Sequence, residues 1–151
     1  MKTKYALKAM IALAKAHETG AMLLIADLAK NERIPRKFLE TILLELKYGG
    51  FLQSKAGRNG GYTLRRSPPE IKVGQIIRLF EGPLALLPCA SQTGYKKCAD
   101  CEDDAHCGLR LLLVDVRDAT ALILDHTTLA QVLERAAKSR ETDASTMMFN
   151  I

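Results

Sequence analysis

The chain has 151 residues, about the length of one domain, with 48% hydrophobic and 26% charged residues. This composition is that of a globular protein and excludes a disordered or fibrous chain. No stretch approaches the ~18 uncharged apolar residues that a membrane span needs. Lys15 interrupts the apolar run after the basic start too early for a secretory signal, so we expect a cytoplasmic protein.

Charge is distributed unevenly between the two halves of the chain. Residues 1–68 carry 13 Lys/Arg and 5 Asp/Glu, whereas residues 69–151 carry 9 and 12. A basic first half beside a mildly acidic second half is typical of a module that binds a polyanion, joined to a second unit. The alternative is a solvated basic face that has no partner.

Apolar spacing in the first part of the chain predicts three helices. The first covers residues 3–18 and ends at Gly20, and a short second helix covers 24–30. Pro35 marks the start of a third helix that runs to about residue 48, because proline costs nothing in the first turn. A turn over 31–33 joins the last two, so a helix-turn-helix is predicted. The third helix is expected to bury Phe38, Leu39, Ile42, Leu43 and Leu46.

Two short strands are expected directly after the third helix. They cover residues 51–55 and 62–66, and the glycine-rich segment between them contains Asn59-Gly60, a strong hairpin signal. A helix-turn-helix followed by a hairpin is the layout of a winged helix. We therefore assign residues 1–68 to a winged helix-turn-helix DNA-binding domain.

The second half is predicted to be helical around one cysteine-rich loop. A short helix over 72–82 precedes the loop at 88–108, and a long helix over 109–125 follows it. The apolar arc of the long helix, which includes Leu112, Val116 and Ile123, favours dimerisation; the alternative is a wide core-facing helix. Thr128 and Gln131 match a capping box that opens a last helix over 129–138. We assign residues 69–138 to a sensor loop with dimerisation helices, and 139–151 to a loose tail. The predicted fold class is mostly α, with a small β-hairpin wing.

Side chains suited to reading DNA cluster at the start of the third helix. Arg36 and Lys37 can donate to guanine in the major groove, and Glu40, with Thr41 beside it, can accept from cytosine. Arg58, at the hairpin tip, suits a narrow minor groove. The candidates for phosphate contacts are Arg33, Lys47, Lys55, Arg65 and Arg66, and Pro35 and Asn59 complete the candidate set.

All four cysteines lie in one segment, with the spacing Cys89-x8-Cys98-x2-Cys101-x5-Cys107. Four thiols in one short loop suit an iron–sulfur cluster; a structural zinc site and a disulfide switch without metal remain as alternatives. Lys96 and Lys97 favour the thiolate form of Cys98, whereas the acidic residues at 100 and 102–104 oppose it. No strand precedes the Cys98–Cys101 pair, as an oxidoreductase would need, and no catalytic triad stands out, so we expect no enzyme activity.

Four segments together resemble the Rrf2-type winged-helix transcription regulators, the family of IscR, NsrR and RirA. They are YAL at 5–7, IPRKFLE at 34–40, GRNGGYTL at 57–64 and VGQII at 73–77, and with the cysteine loop the resemblance covers residues 1 to about 138. It implies a homodimer in which the two long helices cross-pack against each other. This dimer is expected to bind a palindromic operator in double-stranded DNA. It also implies a regulator, typically a repressor, whose cluster reports iron, oxygen or nitric oxide status. A membrane and a small-molecule substrate are not expected as partners.

The resemblance also suggests which side chains hold a 2Fe–2S or 4Fe–4S cluster. Members that bind a cluster take three cysteines from this loop, and Cys89, Cys98 and Cys107 match them in order. Arg110 stands where the IscR pattern has histidine, and Lys4 where the NsrR pattern has a carboxylate. Cys101 is therefore the candidate fourth ligand, followed by His106. Many relatives carry arginine before the first wing glycine, where this chain has Ala56, so Arg58 is the candidate replacement.

Overall fold

The computed structural model describes residues 2–148, with side chains described up to 142. Within these residues, six helices and one hairpin follow one another in the chain. They are α1 (Lys2–Glu18), α2 (Ile25–Glu32), α3 (Arg36–Tyr48), β1 (Leu52–Lys55), β2 (Gly61–Leu64), α4 (Val73–Glu81), α5 (Gly108–His126) and α6 (Leu129–Met148). Short 3-10 turns occupy Pro68–Glu70 and Pro88–Ala90. No helix within the described residues is long and apolar enough to cross a membrane.

The core forms where α1 packs against α3. Three of the five buried residues of α1 are alanines, which allow the neighbouring helices to approach closely. From α3, Leu39, Ile42, Leu43 and Leu46 are buried as predicted. The prediction that Phe38 is buried was wrong. Phe38 lies at the flank of the buried stripe and is exposed, and its ring meets Tyr5 edge-on with centroids 5.7 Å apart.

The turn between α2 and α3 begins later than predicted. Helix α2 continues to Glu32, and Arg33 then adopts the left-handed conformation with φ 54°. The amide of Ile34 donates to the carbonyl of Ala29 over 2.9 Å, which closes the end of α2. Pro35 follows as the residue before α3, so the turn covers 33–35 rather than 31–33.

The hairpin forms the predicted wing, with strands slightly shorter than expected. Leu52 pairs with Leu64 and Lys55 with Gly61 in antiparallel register. Leu23, just before α2, extends the sheet by two hydrogen bonds with Tyr62. Gly61 has φ +144°, and a Cβ there would lie 2.8 Å from the carbonyl oxygen of Leu23, so this close approach requires glycine.

The C-terminal helices attach to the back of the winged domain. Val73 and Leu129 each donate a backbone hydrogen bond across the bridge between Lys72 and Thr128, and this bridge joins the starts of α4 and α6. The predicted capping box is confirmed: Thr128 Oγ1 accepts from the Gln131 amide over 3.1 Å, and Gln131 Oε1 accepts from the Thr128 amide over 2.9 Å.

The predicted end of the last helix at residue 138 was wrong. Helix α6 continues to Met148, so most of the segment interpreted as a loose tail is helical. Polar residues dominate this part of the helix, and apolar periodicity therefore gave no signal there. Residues 149–151 of that predicted tail lie outside the described residues.

Helix α5 matches its prediction in extent, but none of its residues is buried. Some of its residues, such as Leu113 and Leu124, are half-buried, and most of its apolar arc lies outside the core. Its exposed apolar side chains include Leu109, Leu112, Val116, Leu122 and Ile123. The attachment of α5 to α4 includes a two-armed ion pair, in which Arg78 donates to both carboxylate oxygens of Asp125 over 2.5 and 2.8 Å.

Candidate DNA-binding surface and cysteine loop

Of the side chains predicted to contact DNA, all but Arg66 are exposed. On α3 and the turn before it these are Arg33, Pro35, Arg36, Lys37, Glu40, Thr41 and Lys47, and in and after the wing they are Lys55, Arg58, Asn59 and Arg65. Helix α3 presents its charged face to solvent because its opposite face is buried against α1. The surface is thus basic and solvent-accessible, and it is built on rigid elements.

Helix α3 and the wing are joined at this surface. The Lys47 ammonium donates to Ser54 Oγ on β1 over 2.7 Å. At the tip of the wing, the Gly60 amide donates to the Gly57 carbonyl over 3.0 Å, which places Arg58 and Asn59 at the two central turn positions. The predicted location of Arg58 at the tip is therefore confirmed.

Besides Lys47, two more of the predicted cationic side chains are engaged within the protein. Arg66 is half-buried, and its guanidinium lies 5.5 Å from the centroid of the Phe51 ring. Arg36 Nε lies 3.4 Å from Glu40 Oε1. This exposed pair is weak and can open when a base edge competes for either group.

Sequence reasoning missed two residues on the outward face of α3. Leu44 and Tyr48 are 48% and 81% exposed. Both lie on the side of α3 opposite its buried residues. The spacing of the apolar residues in the sequence is sufficient to predict that these two are exposed. Neither residue carries a charge, so the basic character of this surface does not indicate them, whereas their helical spacing does.

The four cysteines are free thiols at different depths. Cys89 is buried in the 3-10 turn that opens the loop, whereas the other three are half-buried. A hydrogen bond with Cys89 raises the pKa of Cys98. Desolvation and the neighbouring Cys107 raise the pKa of Cys101, and they outweigh the lowering effect of Lys97. The raised pKa of Cys98 agrees with the predicted opposing effect of the acidic residues, since Asp100 also raises it, and not with the predicted effect of Lys96 and Lys97.

Cys89 is the thiol that acts most strongly on Cys98, and Cys107 is the thiol that acts on Cys101, while Cys101 also raises the pKa of Cys98. Four sulfur atoms are the donor set that an iron–sulfur cluster uses, so the chemistry of the loop fits such a group. Among residues 2–148, however, no three His, Cys, Asp or Glu side chains converge into a metal site.

Two arginines of α5 anchor the beginning of the loop. Arg110 Nε donates to the carbonyl of Cys89 over 2.9 Å, and Arg117 Nη1 donates to the carbonyl of Ala90 over 2.5 Å. Cys107 immediately precedes α5, so the helix is attached to both ends of the loop. The loop is therefore in contact with α5 at both of its ends.

The middle of the loop is held by its own side chains. Tyr95 donates a hydrogen bond to Asp104, and the guanidinium of Arg110 lies 5.7 Å from the centroid of the Tyr95 ring. His106 Nδ1 lies 2.7 Å from Asp103 Oδ2, and the His106 side chain is exposed. His106, the second candidate for a fourth ligand, is thus engaged with a carboxylate rather than with a cysteine.

Comparison with known proteins decides the family. Over residues 1–135, the sequence matches Rrf2, described as an iron-dependent transcriptional regulator. The chain belongs to the Rrf2 family. An rrf2-like HTH-type transcriptional regulator of Rhodobacter capsulatus is 37% identical over 134 residues, covering 87% of this chain and 89% of that protein. The regulator NsrR of Geobacillus kaustophilus is 33% identical over 138 residues, covering 91% and 90%.

Solved structures support the same assignment. CymR of Bacillus subtilis, described as its global cysteine regulator, superposes with a TM-score of 0.73 at 32% identity, covering 89% of this chain and 95% of CymR. IscR of T. potens gives 0.70 at 27% identity, covering 92% and 88%. The predicted winged-helix fold and family are thus confirmed. These relatives are transcriptional regulators rather than enzymes, as predicted.

Proposed function

We propose that this Rrf2 protein is a dimeric DNA-binding regulator whose affinity for a palindromic operator depends on the chemical state of its cysteine loop. The observation that carries this proposal is the pair of arginine contacts from α5 to the carbonyls of Cys89 and Ala90. They connect the candidate sensor residues mechanically to the helix that we assign to dimerisation.

Binding to DNA begins with the basic face of α3 and the wing. In this proposal the start of α3 enters the major groove, where Lys37 and Glu40 meet base edges. Arg58, at the tip of the wing, is free to follow the adjacent minor groove, because the turn projects it away from the sheet. Phosphate contacts by the remaining cations supply most of the affinity and make it dependent on salt.

The exposed apolar face of α5 supports the dimer. Leu112, Leu122 and Ile123 are each more than half exposed, although they lie on a regular helix of 19 residues. Burial of such side chains contributes about 2 kcal/mol each, so a few of them in each protomer suffice for a stable pairing. A second copy of the same face is the partner that two-fold symmetry offers.

Regulation follows from the geometry of such a dimer. Two recognition helices must be spaced by about 34 Å to enter successive major grooves. A change in the loop that shifts α5 changes this spacing. A coupling of about 1–3 kcal/mol alters operator affinity roughly 5- to 150-fold, which is enough for a switch.

In the first form of the proposal, the loop holds an iron–sulfur cluster. Cys89, Cys98, Cys101 and Cys107 would be its ligands, because they supply the sulfur donors that clusters use. When bound, such a cluster would supply a redox-active group to the loop. Arg110, which lies at the loop through the Cys89 carbonyl, provides positive charge beside these thiolates.

The pairing of the thiols favours a second form, which is a disulfide switch without metal. Cys98 already contacts Cys89, and Cys101 contacts Cys107. Oxidation of one pair by a peroxide would form one S–S bond, while the peroxide is reduced and takes up the two thiol protons. This change alters the same loop and therefore acts on α5 by the same route.

The decisive experiment is to select DNA from a random duplex library with the full-length protein and to measure affinity for the selected operator under reducing and oxidising conditions. We expect sequence-specific binding whose strength differs between the two conditions. Cys98→Ala should lose this difference and remain a folded dimer, whereas Thr93→Ala, at an exposed position in the same loop, should retain it.

Two results would contradict the proposal. A library that yields no sequence preference would exclude an operator-binding regulator. A Cys98→Ala protein that unfolds would assign the loop to structural stability rather than to regulation.

A further inference from the structure

The outward face of α3 carries an apolar strip. With 3.6 residues per turn, Lys37, Thr41, Leu44 and Tyr48 project within about 30° of the direction opposite the buried stripe. All four are exposed. The last three present a methyl group, an isobutyl group and an aromatic ring in one line along the helix.

The charged residues around Leu44 distinguish it from an ordinary exposed leucine. Single exposed apolar residues are common and need no explanation. Leu44, however, lies in the middle of the basic surface, with Lys37 and Thr41 before it on the same face and Lys47 beside it. A protein partner with an apolar face would have to cover these cations, whereas the phosphates of a DNA duplex neutralise them.

The major groove contains one apolar feature at the edges of its bases, which is the C5-methyl group of thymine. A leucine on the groove-facing side of a recognition helix matches this feature in polarity and removes the methyl group from water. Polar side chains at the start of α3 cannot make this contact. Leu44 lies two helical turns further along the same face.

We propose that Leu44 is a specificity-determining residue that packs on the thymine C5-methyl group in each half-site of the operator, with the methyl group of Thr41 beside it. This inference rests on the proposed DNA-binding function and specifies what α3 recognises. It assigns an apolar part of the sequence readout to a residue that carries no charge and makes no hydrogen bond through its side chain.

The size of the effect follows from the area that is buried. Removing one buried methyl group reduces affinity about fourfold, and a dimer that reads two half-sites loses about 16-fold. Truncation of Leu44 to alanine should reduce affinity by a similar or slightly larger factor. It leaves the salt dependence unchanged, because no phosphate contact is lost.

The experiment replaces thymine by deoxyuridine, which lacks only the C5-methyl group. The operator selected by the full-length protein is synthesised with deoxyuridine at each thymine position in turn, in both half-sites together. Affinities are measured for the wild-type protein, for Leu44→Ala and for Leu79→Ala. Leu79 is a matched control because it is an exposed leucine of α4, outside the recognition helix.

We expect one symmetric pair of thymines whose replacement reduces wild-type affinity about 16-fold. Leu44→Ala should bind the thymine and deoxyuridine forms equally, and Leu79→Ala should retain the full wild-type difference. Wild-type protein that is insensitive to deoxyuridine at every position would overturn the inference without using any variant. The same holds if Leu44→Ala keeps the full difference. If no operator is selected at all, the proposed function itself fails.

Discussion

The hydrogen bond from Arg117 of α5 to the Ala90 carbonyl of the loop leads to the most informative prediction. Arg117 is only 14% exposed, and its guanidinium donates to the carbonyl of Ala90, which is itself buried. We consider Arg117→Ala. A hydrogen bond from a charged donor contributes about 1.5–3 kcal/mol. The additional ion pair with Asp118 adds little, because that carboxylate is exposed.

A loss of about 2 kcal/mol raises the population of locally open loop about 30-fold. Hydrogen exchange of the backbone amides measures this population directly. We expect the peptide that covers residues 88–96 to exchange faster in Arg117→Ala, while peptides from α1 and α3 are unchanged. The difference in operator affinity between reduced and oxidised protein should shrink, because the loop no longer acts firmly on α5.

Two further variants make this test specific. Arg110→Ala, which removes the donor to the Cys89 carbonyl, should give the same pattern. Arg135→Ala, an exposed arginine of α6, should change neither measurement. Unchanged exchange in residues 88–96 of Arg117→Ala would refute the reasoning, since the loop would then be held by other contacts.

Four other outcomes can be measured separately. Arg58→Ala should weaken operator binding and reduce its salt slope by about one phosphate equivalent, as measured by titration at several salt concentrations. Ile123→Lys places a charge in the proposed dimer face, so sedimentation should detect a folded monomer. Thr128→Ala removes the cap of α6 and should lower the free energy of unfolding by about 1 kcal/mol, measured in urea. Arg78 holds the pKa of Asp125 below its ordinary value of 3.8, so this pair stabilises the protein above that pH and loses its effect as the pH falls through the lowered value. Asp125→Asn should therefore be destabilising at pH 7, by less than about 1 kcal/mol because both groups are over one-third exposed, and its effect should shrink as the pH falls through the lowered pKa of Asp125.

Apolar periodicity predicted the elements whose burial is one-sided. Helix α3 is the clearest case, because four of its five predicted core residues are buried and both of its ends were located. Apolar periodicity does not predict the extent of a helix that is polar, or the burial of a residue at the edge of the apolar stripe. The second half of α6 is polar, and Phe38 lies at the flank of the stripe, so neither could be judged from the spacing of apolar residues.

The cysteine loop illustrates a different limit. The sequence shows four cysteines in one short segment, and this predicted a site that binds a metal or cluster or that forms a disulfide. Which thiol contacts which depends on how the loop folds back on α5. The anchors Arg110 and Arg117 lie 21 and 27 residues from the carbonyls that they contact, and no local pattern indicates such pairings. The arginines of the long helix were therefore not recognised as parts of the site.

The central claim is that the state of the loop controls operator binding. The most direct measurement uses protein purified without oxygen, with a visible spectrum and analysis of iron, acid-labile sulfide and zinc on one sample. Its operator affinity is then compared before and after exposure to air or peroxide. We expect operator affinity to change at least about fivefold, with loss of iron and sulfide in the cluster form or of two free thiols in the disulfide form. An affinity that stays constant while the loop is oxidised, or a colourless protein with bound zinc and constant affinity, would contradict it.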